Sequence, residues 1–195
     1  MTEVSKMLDP KGQEKQSIYD CVNAVDEEMK YFTEIGAPII EYYGSDLDTL
    51  MERISQFLSS SKTEDLNVNE LQRYFMELTS TLYLTTTNVE KVGLLMDLSS
   101  MSYKDAFNTS LLNYSNVDGK NTVAKLNALS EKAAISNNVV SFIYTRTYKI
   151  LKAKIDSASE MVRTLSKIIS FKMNAVSTGM EDKYDINTKR LLMEG

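Results

Sequence analysis

Residues 122–173 read TVAKLNALSEKAAISNNVVSFIYTRTYKILKAKIDSASEMVRTLSKIISFK, a run without Gly or Pro. A stretch of this length that lacks both breakers, apolar on one side and basic on the other, predicts a single long helix. Leu126, Leu129, Ala133, Ser136, Val140, Ile143, Thr147 and Ile150 follow one another at alternating spacings of three and four. That is the spacing of one stripe on a helix packed against a partner helix. Beyond it a second stripe starts: Leu151, Ile155, Ala158, Val162, Leu165 and Ile169, joined by Met161, Ile168 and Phe171. One partner helix covers one stripe. An apolar face this wide between 150 and 171 calls for a third helix, drawn from residues 17–58 or from another subunit.

The partner lies upstream. Asn67-Val68-Asn69-Glu70 has the form of a capping box with Asn as the cap. From there Leu71, Phe75, Leu78, Leu82, Thr85, Val89, Val92, Met96, Ser99, Tyr103 and Ala106 keep the three-four spacing of a left-handed helix pair. Thr85 and Ser99 are the polar interruptions in that seam. Gly93 sits inside it and costs about 1 kcal/mol relative to Ala, unless another group approaches closely there. The turn-forming cluster Asn113–Asn121 separates the two runs and is short enough to join antiparallel neighbours.

Further upstream, Ser17 is placed to cap a helix. Ile18, Val22, Val25, Met29 and Phe32 make its stripe, and Gly36-Ala37-Pro38 is expected to end it. Ser45 is expected to cap a further helix after Gly44, with Leu47, Leu50, Ile54, Phe57 and Leu58 on one face. Residues 59–63, SSSKT, read as a linker. The chain is therefore expected to be all-α. It is a long antiparallel, coiled-coil-like helical hairpin (63–175), preceded by an acidic N-terminal helical segment (1–62) and followed by a flexible tail (176–195).

Composition narrows the chemistry. The 195 residues include no His and one Cys. Without His there is no Ser-His-Asp or Cys-His catalysis, and most zinc sites are excluded. A lone Cys makes no internal disulfide and suits a reducing compartment; Cys21 reads as a small apolar residue of its helix. No apolar run is long enough to span a membrane, and the first residues lack a signal peptide's apolar core. The expectation is a non-enzymatic cytoplasmic protein that needs no cofactor and no metal.

Net charge is −5 but unevenly placed. Residues 1–66 hold 14 acidic and 6 basic side chains, whereas 140–173 hold 7 basic and 2 acidic. Such asymmetry points to a polyanion-binding face next to an acidic segment. Arg146, Lys149 and Lys152 follow one another at spacings of three, and Arg163 and Lys167 are four apart. Neighbours at those spacings share a side of a helix. Lys154 lies nearer the apolar stripe, where its stem can run past it. Tyr144 and Tyr148 interleave with the cations. Cations along an extended surface neutralise phosphates without reading sequence, and aromatics beside them suit single strands. The competing reading is a solvated helix face carrying pairs such as Lys152–Asp156, with Glu160 flanked by Arg163 and Lys167, and with the tyrosines used in packing.

The segment Leu151-Lys152-Ala153-Lys154-Ile155-Asp156 resembles the Leu-Lys-Ala-Arg-Leu-Asp segment of the UvsY-type recombination mediators of tailed phages. The resemblance covers these six residues. It implies a small, helical, self-associating protein, cytoplasmic in a bacterial host, that helps load a RecA-like recombinase onto DNA coated with single-strand-binding protein. It also implies that Lys152 and Lys154 stand where two cations of the family contact single-stranded DNA. The second cation here is Lys rather than Arg, which keeps the charge and loses the planar fork. Ser157-Ala158 stand where the family has aromatics.

Two readings follow. The first is a single-stranded-DNA-binding accessory protein acting through Arg146, Lys149, Lys152, Lys154, Arg163 and Lys167, as a homo-oligomer with a recombinase or single-strand-binding protein as partner. The second is a structural or chaperone-like helical coiled-coil assembly protein that uses the same seams. An enzyme would require carboxylates such as Asp97, Asp105 and Glu131 to converge in space.

Overall fold

The computed structural model describes residues 23, 25–27, 29–60, 65–116 and 122–177. The elements are a π-helical turn Phe32–Gly36, then helices α1 (Ala37–Ser60), α2 (Val68–Ser115), α3 (Val123–Ala133) and α4 (Ile135–Ser177). The described residues contain no strand. Ser17, Ile18, Cys21 and Val22 of the acidic segment, residues 61–63 of the linker, 117–121 of the turn cluster and 178–195 of the tail lie outside the described residues.

The fold is all-α, with α2 and α4 as the arms of an antiparallel hairpin. The packing divides into two compact units, Met1–Glu41 with Val92–Tyr148, and Tyr42–Lys91 with Lys149–Gly195. In the first unit Gly93 of α2 faces the ring of Tyr148. Further along, Asn137 Nδ2 donates to Ser102 Oγ at 2.9 Å. Numbers rise on α2 as they fall on α4. In the second unit a single core joins Leu47, Leu50 and Ile54 of α1 to Leu71 and Leu78 of α2 and to Ala158 and Leu165 of α4. The wide apolar stripe of α4 thus receives its third helix from this same chain. Fully burying each Leu or Ile side chain contributes roughly 1.5–3 kcal/mol.

Every seam position expected on α2 is withdrawn from solvent, the polar Thr85 (7 % exposed) and Ser99 (8 %) among them. The helix begins at the expected Asn67 cap, but the cap is simpler than a capping box: Asn67 Oδ1 accepts from the Asn69 N–H at 2.8 Å rather than from Glu70, and the Leu71 N–H bonds to the Asn67 carbonyl.

Three expectations need correction. First, Gly36-Ala37-Pro38 does not end a helix, and Gly44-Ser45 does not start one. The backbone stays helical through Phe32–Gly36 and into α1. The turn widens into a π-bulge, in which the Ala37 N–H reaches the Phe32 carbonyl. Pro38 has no N–H to donate, and the widened turn gives its ring room beside the carbonyls of the preceding turn. Gly44 is buried inside α1 rather than breaking it. Second, the run 122–173 is not one helix. Thr122 caps α3, its side chain accepting from the Lys125 N–H. At Ala134 the backbone departs to φ −93°, ψ 7°, before α4 begins. This shifts the phase of the stripe. Ser130 and Ala134 are buried, while the expected Ala133, Ser136 and Val140 are exposed; from Ile143 onward burial rejoins the predicted row. Third, Phe171, Val25 and Met29 are exposed, at 67 %, 58 % and 56 %.

Candidate nucleic-acid interface

In the second unit, α4 presents two sides. Leu151, Ile155, Ala158 and Leu165 are buried. Lys149, Lys152, Asp156, Glu160, Arg163 and Lys167 succeed one another at spacings of three and four, so they form one row on the side turned away from that core. Lys149, Arg163 and Lys167 are exposed, and Lys152 is half-buried. Arg163 donates to Glu160 one turn earlier, with both side chains 69 % exposed. A pair so open to water is worth a few tenths of a kcal/mol at most. No ion pair or hydrogen bond holds Lys149, Lys152 or Lys167 among the described residues. The row is two basic pairs, Lys149/Lys152 and Arg163/Lys167. About 16 Å of helix separates Lys152 from Arg163 at 1.5 Å per residue, and the two carboxylates lie between them.

Lys154 stands elsewhere. Its ammonium pairs with Asp48 of α1, and its side chain is only 25 % exposed. Its stem crosses α1 at Gly44: a Cβ there would lie 3.2 Å from Lys154 Cδ and 3.4 Å from Leu151 Cδ2. Lys172 donates to the Leu66 carbonyl just before α2. Sequence reasoning missed Gly44 and Asp48. Their spacing of four places them on one side of α1, but nothing local connects that side to a lysine so distant in the chain.

In the first unit Arg146 is exposed, and Tyr144 and Tyr148 are half-buried. The Tyr148 ring lies over Gly93, where a Cβ would come within 3.0 Å of it. Gly93 therefore admits a side chain closely. Tyr144 lines a groove of about 370 Å³ with Leu95, Leu98 and Val140. The Tyr148 ring is used in packing, whereas the Tyr144 ring borders open groove.

The carboxylates considered for catalysis, Asp97, Asp105 and Glu131, are all exposed. Among the described residues no group of three or more His, Cys, Asp or Glu is placed to hold a metal ion. A cleft of about 640 Å³ in the second unit, between α1 and α2, has Asp46 and Glu77 in its lining. Glu77 is held there by Arg53 at 2.7 Å. No described helix is long and apolar enough to cross a membrane. Comparison of the chain with family models, with curated proteins and with solved structures finds no match.

Proposed function

We propose that this chain is a non-enzymatic accessory protein that binds single-stranded DNA through the outward row of α4, in the manner of a phage-type recombination mediator. One observation carries the reading. Lys149, Lys152, Arg163 and Lys167 share the side of α4 opposite its buried row; Lys149, Lys152 and Lys167 hold no ion pair among the described residues, and Arg163 holds only the water-exposed pair with Glu160. Arg146 of the first unit is exposed and is a separate candidate for phosphate contact. Of the six residues that carry the resemblance, Lys152 and Asp156 stand in the outward row, and Lys154 does not. Four contacts bind weakly, so the proposal includes a homo-oligomer in which several rows act together; multivalency raises weak contacts to useful affinity. A recombinase or a single-strand-binding protein is the proposed protein partner, and the cytoplasm of a bacterial host the proposed location.

A second reading has its own observation. Leu94, Leu98 and Met101 of α2 are 60 %, 52 % and 59 % exposed, as a structural or chaperone-like assembly protein requires for joining other chains. Fluorescence anisotropy with a labelled single-stranded oligonucleotide, at low and at moderate salt and with a duplex control, decides between the two. Binding that prefers the single strand, weakens steeply with salt and is abolished by K149E/K152E/R163E/K167E with helicity unchanged supports the first. No retention at low salt removes it and leaves the second.

A further inference from the structure

Two lysines separated by one residue cannot serve one surface of an α-helix. Residues i and i+2 point to nearly opposite sides. The segment 151–156 places Lys152 and Lys154 in that relation, and the structure separates them accordingly. Lys152 belongs to the outward row of α4. Lys154 is seated on α1: its stem lies where Gly44 carries no Cβ, and its ammonium meets Asp48 one turn further along the same side of α1. Leu151, one turn before the buried Ile155, packs against the same glycine.

We infer that Lys154 is a positioning residue, a clasp that holds α1 on α4 through Gly44 and Asp48, and that the second cation beside Lys152 is Lys149. The DNA half of this statement rests on the function proposed above; the clasp itself does not. Three features of the seat agree. Gly44 is buried within a helix that Ala would otherwise favour there, and the atoms nearest to its missing Cβ are those of Lys154 and Leu151. Asp48 is half-buried and oriented toward α4. Lys154 is more enclosed than the exposed Lys149 and Lys167. A phosphate reaching Lys154 would have to displace a carboxylate already in place, whereas Lys149 and Lys152 are one turn apart with nothing to displace.

The test uses the full chain and the variants K149M, K152M, K154M, D48N and K154M/D48N. Met keeps an unbranched apolar stem over Gly44 and removes only the charge. Thermal unfolding followed by circular dichroism reads the clasp. K154M and D48N should each lower Tm by roughly 2–4 °C, the double variant should fall no further than the lower single one, and K149M and K152M should leave Tm unchanged. Additive losses, or an unchanged Tm in K154M, overturn the clasp. The salt dependence of single-strand binding reads the contacts. Losing one phosphate contact reduces the slope of log K against log salt by about 0.7 for a single strand. K149M and K152M should show that reduction and K154M should not. A slope for K154M that falls as far as that of K152M overturns the assignment. If the wild-type chain binds no single strand at all, the proposed function fails, and the melting experiment alone decides the clasp.

Discussion

Thr147 carries a hydroxyl into a fully buried position, and Oγ1 has no hydrogen-bond partner among the described residues. An unsatisfied buried hydroxyl costs about 1–3 kcal/mol. Thr147→Val keeps the shape and discards the polar atom, so it should stabilise the protein by about 1 kcal/mol, seen as a rise in Tm of roughly 2–4 °C. A fall in Tm would mean that the hydroxyl is bonded in solution. The neighbouring Gly36 gives the opposite expectation. A Cβ at Gly36 would lie 2.7 Å from Thr147 Oγ1 and within 2.8–2.9 Å of the Phe32 ring. Helix propensity alone would make Gly36→Ala favourable by about 1 kcal/mol. Overpacking of this kind costs about 1–3 kcal/mol, and the ring and the hydroxyl must both give way. Gly36→Ala should therefore lower Tm by several degrees in thermal unfolding, and a rise would show that the π-turn relaxes to admit the methyl group.

At the scale of the element, α1 is what makes the wide face of α4 stable, and Ile54 belongs to that core with no exposed surface. Ile54→Ala should cost about 2–5 kcal/mol, read in a denaturant titration as a lower midpoint at an unchanged slope. If α1 merely decorated the hairpin, the change would be within about 0.5 kcal/mol. The need for a third helix was legible in the sequence because residues 150–171 carry more apolar positions than one neighbour can cover. The seam of α2 was legible for a related reason: its spacing holds from Leu71 to Ala106 without a break, and Thr85 and Ser99 keep the phase although they are polar. The first part of the second arm was not legible. Ala134, where the helix breaks, is the residue type with the highest helix propensity, so no local signal marks it, and the shift of one position follows from packing. Pro38 misled in the opposite sense, because a π-bulge accommodates a proline that periodicity treats as a stop. Among the candidate site residues, the outward cations were legible from their spacing alone. The pairing of Lys154 was not, because Asp48 lies on another helix far away in sequence.

For the whole molecule, the quantity that matters is the mismatch between total and local charge. The chain carries −5 overall and 14 acidic side chains in residues 1–66, yet it offers a basic row on α4. A polyanion at long range meets a protein of its own sign, so steering cannot speed the encounter as it does for basic proteins. At contact only the row matters, because charges beyond about 10 Å are screened at 0.1 M salt. These two facts separate the kinetics. Raising the salt weakens the long-range repulsion and the short contacts together, so the association rate should change little, or rise slightly, while dissociation accelerates. Stopped-flow anisotropy with a labelled single strand, between 50 and 200 mM salt, should place most of the salt dependence of affinity in the dissociation rate. Neutralising the two carboxylates within the row, D156N/E160Q, should then slow dissociation and raise affinity, with helicity unchanged. A dissociation rate unaffected by that pair of substitutions, together with association that slows steeply with salt, would locate the binding surface away from the outward row of α4.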